Sequence, residues 1–230
     1  EEKAPWFKVM SAAAALLKLH HAVILAESQG IEVLRAYLTG LQSDSSKAGK
    51  RIASDPQIRA IIRLDPMGRD PKYLSVLRLL RGLPKGSKAL VFCTYKDSVN
   101  ELVQTINTTS EKWVAPFIGQ APARGSKERG MSQKAQAQTI AEFRAGNIDA
   151  LVCTCIGEEG IDIPSVDLVV FYEPTPSAIR DIQRRGRTGR FGAAGRVVVL
   201  MYRGGVDEGY YHSARRKKEE MQTTLSARCS

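Results

Sequence analysis

The sequence predicts an α/β fold: a parallel sheet flanked by helices, preceded by a mostly helical domain. Three observations carry this. No strand pattern occurs before residue 83, short apolar runs bounded by turn residues recur after it, and helical stretches separate those runs. The boundary falls at Gly82-Leu-Pro-Lys-Gly86, which gives a helical domain over residues 1–83 and an α/β domain over 84–230.

In the first part, Pro5 opens an Ala/Leu-rich stretch from Val9 to Ala26, and Gly30 permits a turn into Ile31 to Leu41. Gln42 to Gly49 reads as a polar loop. Asp55-Pro56 and Asp70-Pro71 each place a capping acceptor before a proline at a first helical position. Ile58, Ile61 and Ile62, then Leu74, Leu77 and Leu80, supply apolar stripes at helical spacing. Val9 to Ala26 is close to the ~18 apolar residues of a membrane span. Lys18, His20 and His21 interrupt it, so it reads as an Ala-rich helix of a protein core and no membrane partner is expected.

The second part begins with the strand Ala89 to Thr94, followed by a helix from Lys96 to Ile106 and a strand from Trp113 to Ile118. A helix from Ser132 to Arg144 stops before Gly146. Three more runs, Asp149 to Thr154, Asp167 to Tyr172 and Arg196 to Met201, precede a last helix from about Val206 to Met221. Continuous apolar runs joined by helices mark strands buried on both faces, hence parallel strands and crossover helices. In such sheets ligands gather at the carboxyl ends of the strands.

Composition narrows the partners. The 230 residues hold 34 Lys+Arg against 24 Asp+Glu, a formal charge of +10 with a pI near 9.6. Residues 51–150 hold 16 Lys+Arg against 9 Asp+Glu. From Arg180 to Arg203 there are seven Arg, no Lys and only Asp181 in opposition. Arginine grips phosphate oxygens in pairs, so a phosphate-bearing partner is expected. The four cysteines, 93, 153, 155 and 229, are too few for a disulfide scaffold, and an intracellular, reduced setting follows. Cys153 and Cys155 share a strand face, yet no third ligand lies near in sequence, so no metal site is expected.

Two strand ends carry the chemistry. After Thr154 comes Cys155-Ile-Gly157-Glu-Glu-Gly160-Ile-Asp162, where glycines admit a ligand to the backbone and Asp162 can accept from a ribose hydroxyl. After Tyr172 comes Gln183-Arg-Arg-Gly-Arg187-Thr-Gly-Arg190. Its arginines three apart can converge on one phosphate and stabilise charge on a transferring phosphoryl group.

The blocks ALVFCTYKDSV, GMSQKAQAQTIAEFRAG, LVCTCIGEEGIDIPSVDLVVFYEP and IQRRGRTGR, in this order over residues 86–222, resemble the successive motifs of the second RecA-like domain of superfamily 2 helicases. The wording is most similar to the Hef/Fanconi-anaemia-M branch, and more distantly to the RIG-I-like and Dicer helicases. The resemblance implies a RecA-like sheet with a helical insertion before it. It implies that Gln183, Arg187 and Arg190 face ATP held on a first RecA-like domain, the two arginines as fingers. Gly160 and Asp162 then couple nucleotide to nucleic acid, with Asp162 towards the ribose. Thr154 touches the nucleic-acid backbone, joined by Thr94, Tyr95, Ser132 and Gln133. Cys155 departs from the Ser or Ala of many relatives.

A P-loop needs G-x-x-x-x-G-K-[ST], and the nearest approach, Gly125 to Gly130, is followed by Met131; Asp207-Glu208 follows glycines and reads as a helix cap. The half that holds ATP phosphates and Mg2+ is therefore expected on a separate first RecA-like domain, and the chain alone is expected to be inactive. The resemblance thus implies the C-terminal motor half of an ATP-dependent helicase or translocase on forked or branched DNA, in replication-fork repair. Its setting is cytoplasmic in a prokaryote and nuclear in a eukaryote. Two competing readings are a duplex-RNA-directed motor of the RIG-I-like type and a nucleic-acid-binding module without hydrolysis.

Overall fold

A computed structural model describes residues 5–64, 70–119, 130–154, 163–174 and 195–228. Two compact units divide between Asp70 and Pro71.

The first unit is helical, as expected: α1 (Pro5–Ser28), α2 (Ile31–Gly40), a 3-10 turn (Leu41–Ser43), α3 (Lys47–Ser54) and α4 (Pro56–Arg63). Gly30 joins α1 to α2 at φ 89°, a left-handed angle that costs glycine little. Asp55 caps α4 as its sequence indicates, with Oδ1 accepting from the amides of Gln57 (2.8 Å) and Ile58 (3.4 Å). The loop expected over 42–49 is shorter. Ser46 Oγ accepts from the Gly49 amide (3.0 Å) and starts α3 inside the polar stretch, where no apolar period announced a helix. The structure also corrects the expectation of a core helix at Val9 to Ala26. Trp6–Ser28 is long and apolar enough to cross a membrane, but only 11% of its apolar 18-residue stretch is buried. Its inner side is held by an ion pair from Lys18 to Asp44 (2.8 Å) and by the Tyr37 hydroxyl donating to the Lys18 carbonyl (3.2 Å).

The second unit opens with α5 (Pro71–Arg81), thirteen residues before the boundary expected at Pro84. Then come β1 (Ala89–Phe92), α6 (Lys96–Thr109), β2 (Val114–Phe117), α7 (Gln133–Ala145), β3 (Ala150–Cys153), β4 (Leu168–Phe171), β5 (Arg196–Val199) and α8 (Val206–Arg228). Among the described residues the strands form one parallel sheet in the order β2-β3-β1-β4-β5. Every side chain of β1, β3 and β4 is buried, which is why these strands read as unbroken apolar runs.

Alternate residues feed two cores. Ala89, Val91, Val152 and Val170 face one side with Tyr73, Val76 and Leu80 of α5 and Val99 and Leu102 of α6. Leu90, Phe92, Leu151 and Phe171 face the other with Ile140 and Phe143 of α7. Phe92 and Phe171 stack with centroids 6.0 Å apart across adjacent strands. Truncating either to Ala removes a fully buried ring and costs about 3–5 kcal/mol. α5 belongs to the sheet's unit because its stripe is spent on this core, and the Gly82 to Gly86 segment is a turn within the unit. α7 ends at Gly146, whose φ of 87° completes a left-handed cap.

Candidate nucleic-acid interface at the carboxyl edge of the sheet

Because the strands are parallel, their carboxyl ends line one edge. At the end of β2, the Met131 amide donates to the Gly119 carbonyl (3.1 Å) and Gln136 Nε2 to the Ile118 carbonyl (2.9 Å). These bonds seat the amino end of α7 over that strand. Ser132 and Gln133 stand there exposed, and Ser132 Oγ caps the helix by accepting from the Ala135 amide (3.2 Å). No acid occupies the first turn of α7, so the positive end of its dipole faces this edge.

Next in sheet order, Thr154 leaves β3 with its amide donating to the Phe117 carbonyl (3.3 Å). It is 7% exposed, the most enclosed of the expected contacts. Beside it, Thr94 leaves β1 exposed, and Tyr95 starts α6 with its carbonyl accepting from the Val99 amide (3.3 Å). Glu173 then leaves β4. It is buried at 4% exposure, and its Oε1 accepts from the Thr94 amide. The Glu173 carboxylate therefore ties the Thr94 turn of β1 to the end of β4. Burial first, then the Glu173 charge and Tyr210, raise the Tyr95 hydroxyl above the ordinary tyrosine value. Tyr95 consequently stays a neutral hydrogen-bond donor through and above physiological pH.

The edge thus brings together Ser132, Gln133, Thr154, Thr94 and Tyr95 in one row. Small hydroxyls, an amide side chain and a helix amino end suit the oxygen atoms of a sugar-phosphate backbone and read no base. Gly160, Asp162, Gln183, Arg187 and Arg190, assigned above to ATP and its coupling, lie outside the described residues, as does Cys155. Cys93 and Cys153 are buried thiols outside any disulfide, and among the described residues no three His, Cys, Asp or Glu gather as metal ligands.

Sequence reasoning missed Glu173. Its signal was an acid placed directly after an all-apolar strand and before Pro174, a position that demands a partner. It also misread Asp207. Rather than capping α8, Asp207 lies inside the first turn and is fully buried. Its Oδ2 accepts from Lys72 Nζ (2.6 Å) and from the Tyr202 amide (3.0 Å). Lys72 is 3% exposed, and Nζ also lies 4.5 Å from the Tyr202 ring centre and 5.5 Å from that of Tyr172. The pair clips α5, the first helix of this unit, to α8, the last.

Known sequences agree with this frame. Residues 71–192 match the helicase conserved C-terminal domain, and residues 6–66 match a helical-bundle family of provisionally named ATP-dependent RNA helicases. A protein of Methanocaldococcus jannaschii, also provisionally named an ATP-dependent RNA helicase, is 39% identical over 97% of this chain and 28% of its own length. The ATP-dependent DNA helicase mph1 of Aspergillus fumigatus is 32% identical over 96% of this chain and 22% of its own. The crystal structure of the Pyrococcus furiosus Hef helicase domain superposes with a TM-score of 0.64 at 39% identity, over 92% of this chain and 44% of that one. The chain therefore spans less than half of each of these relatives. With its RecA-like sheet, its helical unit and these likenesses, the chain belongs to the superfamily 2 helicases of the Hef/Fanconi-anaemia-M type, as their helicase C-terminal domain.

Proposed function

We propose that this chain is the C-terminal motor half of an ATP-dependent helicase or translocase that acts on forked or branched DNA. The observation that carries the reading is the row of Ser132, Gln133, Thr154, Thr94 and Tyr95 along the carboxyl edge, backed by Glu173. ATP bound against a first RecA-like domain, with Mg2+ held mainly there, supplies the energy of phosphoryl transfer. Gln183 orients that site, Arg187 and Arg190 neutralise charge on the transferring group, and Gly160 and Asp162 relay its state towards the edge. Thr94, Thr154 and Gln133 hold the backbone. A second support lies in the helical unit, where an open cavity of about 580 Å3 is lined by Gln42, Lys50, Ser54, Arg59 and Arg63 with no acid among its lining residues. Such a cavity attracts phosphate.

The name of the fungal relative favours DNA and that of the archaeal relative favours RNA. The test is ATP turnover of the complete polypeptide with forked DNA, duplex RNA or no nucleic acid. The expected result is stronger stimulation by forked DNA, and a loss of about 10³-fold or more in Arg187→Ala or Arg190→Ala, as for other arginine fingers. Stronger stimulation by duplex RNA overturns the substrate. Unchanged turnover in both arginine variants overturns the finger assignment, and nucleic-acid binding by the complete polypeptide without any turnover leaves the non-hydrolysing module.

A further inference from the structure

The outer side of α1 carries an apolar seam that the rest of its own unit leaves open. Val9, Ala13, Leu16, His20 and Val23 follow one another at spacings of four and three residues, the repeat by which one helix packs along another. Val9 is 66% exposed, Leu16 68% and Val23 51%. Met10 and Leu17, at 62% and 71%, widen the seam on one side. The opposite side of the helix is occupied, since Ala22 and Leu25 are buried and Lys18 is paired with Asp44. An exposed apolar strip about four turns long is more than a monomer surface usually shows, and it marks a contact.

We propose that this seam is the seat of a further α-helix of the same polypeptide, lying outside residues 1–230 and carrying apolar residues at the same four-and-three spacing. Three observations select that occupant. The seam has the period of helix-on-helix packing, which a bilayer does not require. His20 and the paired Lys18 sit mid-helix, where a hydrocarbon layer would charge several kcal/mol for them by insertion scales. The solved Hef helicase domain is more than twice as long as the part this chain matches, and residues 6–66 match a family described as a helical bundle. A helix apolar all round is a buried one, so in a bundle the open apolar face of α1 calls for a neighbouring helix.

The experiment adds a cysteine on the seam, Leu16→Cys, with Leu17→Cys as a second probe of the same strip, and reads labelling at that position by peptide mass spectrometry, apart from the four native cysteines. The complete polypeptide and the 230-residue chain are labelled with a maleimide, then with a maleimide bearing a photo-crosslinking group. At least tenfold slower labelling in the complete monomeric polypeptide is expected, with cross-links landing in an apolar helix of that same molecule. Equal labelling rates in the two proteins overturn the proposal. Slowing in the 230-residue chain that grows with its concentration assigns the seam to a second copy and overturns it. Slowing that appears only with phosphatidylcholine/phosphatidylglycerol vesicles assigns it to a membrane surface and overturns it as well, as do cross-links confined to strands.

Discussion

The buried Lys72–Asp207 pair makes the sharpest energetic prediction. Lys72 Nζ and Asp207 Oδ2 are 2.6 Å apart with side chains 3% and 0% exposed, so each charge depends on the other for what water would supply. Removing one partner strands the second, and buried pairs broken this way lose about 3–5 kcal/mol. Lys72→Met keeps the length of the stem and Asp207→Asn keeps an acceptor for the Tyr202 amide, so each variant tests the charge rather than the packing. A unit of about 155 residues unfolds near its midpoint with an entropy of roughly 0.33 kcal/mol/K, taking about 2.1 cal/mol/K per residue. A 4 kcal/mol loss then lowers the Tm by about 12 °C. The assay is calorimetry of the wild type, both single variants and the double variant. The double variant, with no charge left to strand, is expected to be more stable than the sum of the two single losses by at least 1 kcal/mol, beyond the ~0.5 kcal/mol within which independent sites add. Additive losses, or a Lys72→Met cost under about 1 kcal/mol, would refute the claim that α5 and α8 are clipped by mutual charge.

Four further outcomes are expected. Glu173→Ala leaves the Thr94 amide without its acceptor, costs about 1–3 kcal/mol, and weakens backbone binding by the complete polypeptide; Glu173→Gln retains both, checked by melting and by fluorescence anisotropy. In Gly49→Ala the new methyl lies 2.6 Å from Cβ and Cγ of Asp44, so the carboxylate is pushed off Lys18 and the chain loses about 1–3 kcal/mol in denaturant unfolding. Hydrogen bonds from Lys18 and from the Ser46 backbone hold the Asp44 carboxyl at about 2 against an ordinary 3.8. A lowered carboxylate value contributes stability above the unfolded value and loses it as pH falls through the folded one. The stabilisation from Asp44 therefore disappears between about pH 4 and pH 2, and Lys18→Met diminishes this part of an acid titration monitored by circular dichroism, leaving the share held by the Ser46 amide. Lys50→Ala and Arg59→Ala each reduce the salt dependence of DNA binding by roughly one ion, read as the slope of log affinity against log salt.

The strands were legible because burial on both faces leaves an unmistakable apolar run: Leu90 and Phe92 feed one core while Val91 feeds the other. Asp55-Pro56 was legible because an acceptor and a fixed φ act locally. What escaped depends on distance. α5 has the same texture as the helices before it, and only its contacts with Val91 and Val152 place it with the sheet. Asp207 looked like a cap because caps are local, whereas its partner lies 135 residues away. The edge residues Thr94, Tyr95, Ser132, Gln133 and Thr154 could be named from motif resemblance. Their common row follows from the parallel register, and the role of Glu173 from a bond between strands 79 residues apart. The exposure of α1 was hidden because an Ala/Leu-rich stretch reads alike whether its outer side meets its own unit or something else.

The strand order has a consequence for synthesis. β1 sits in the middle of the sheet but is made first, and its neighbours β3 and β4 follow only later, with Ala89 paired to Ala150 and Leu168. At ~5–20 residues per second, the 79 residues separating β1 from β4 keep one hydrogen-bonding edge of β1 unsatisfied for about 4 to 16 s after it is made. α5 is made immediately before it and carries Tyr73, Val76 and Leu80 to one face of that waiting strand. Beyond its place in the finished core, α5 is thus the apolar partner at hand for one face of β1 while the sheet is still incomplete.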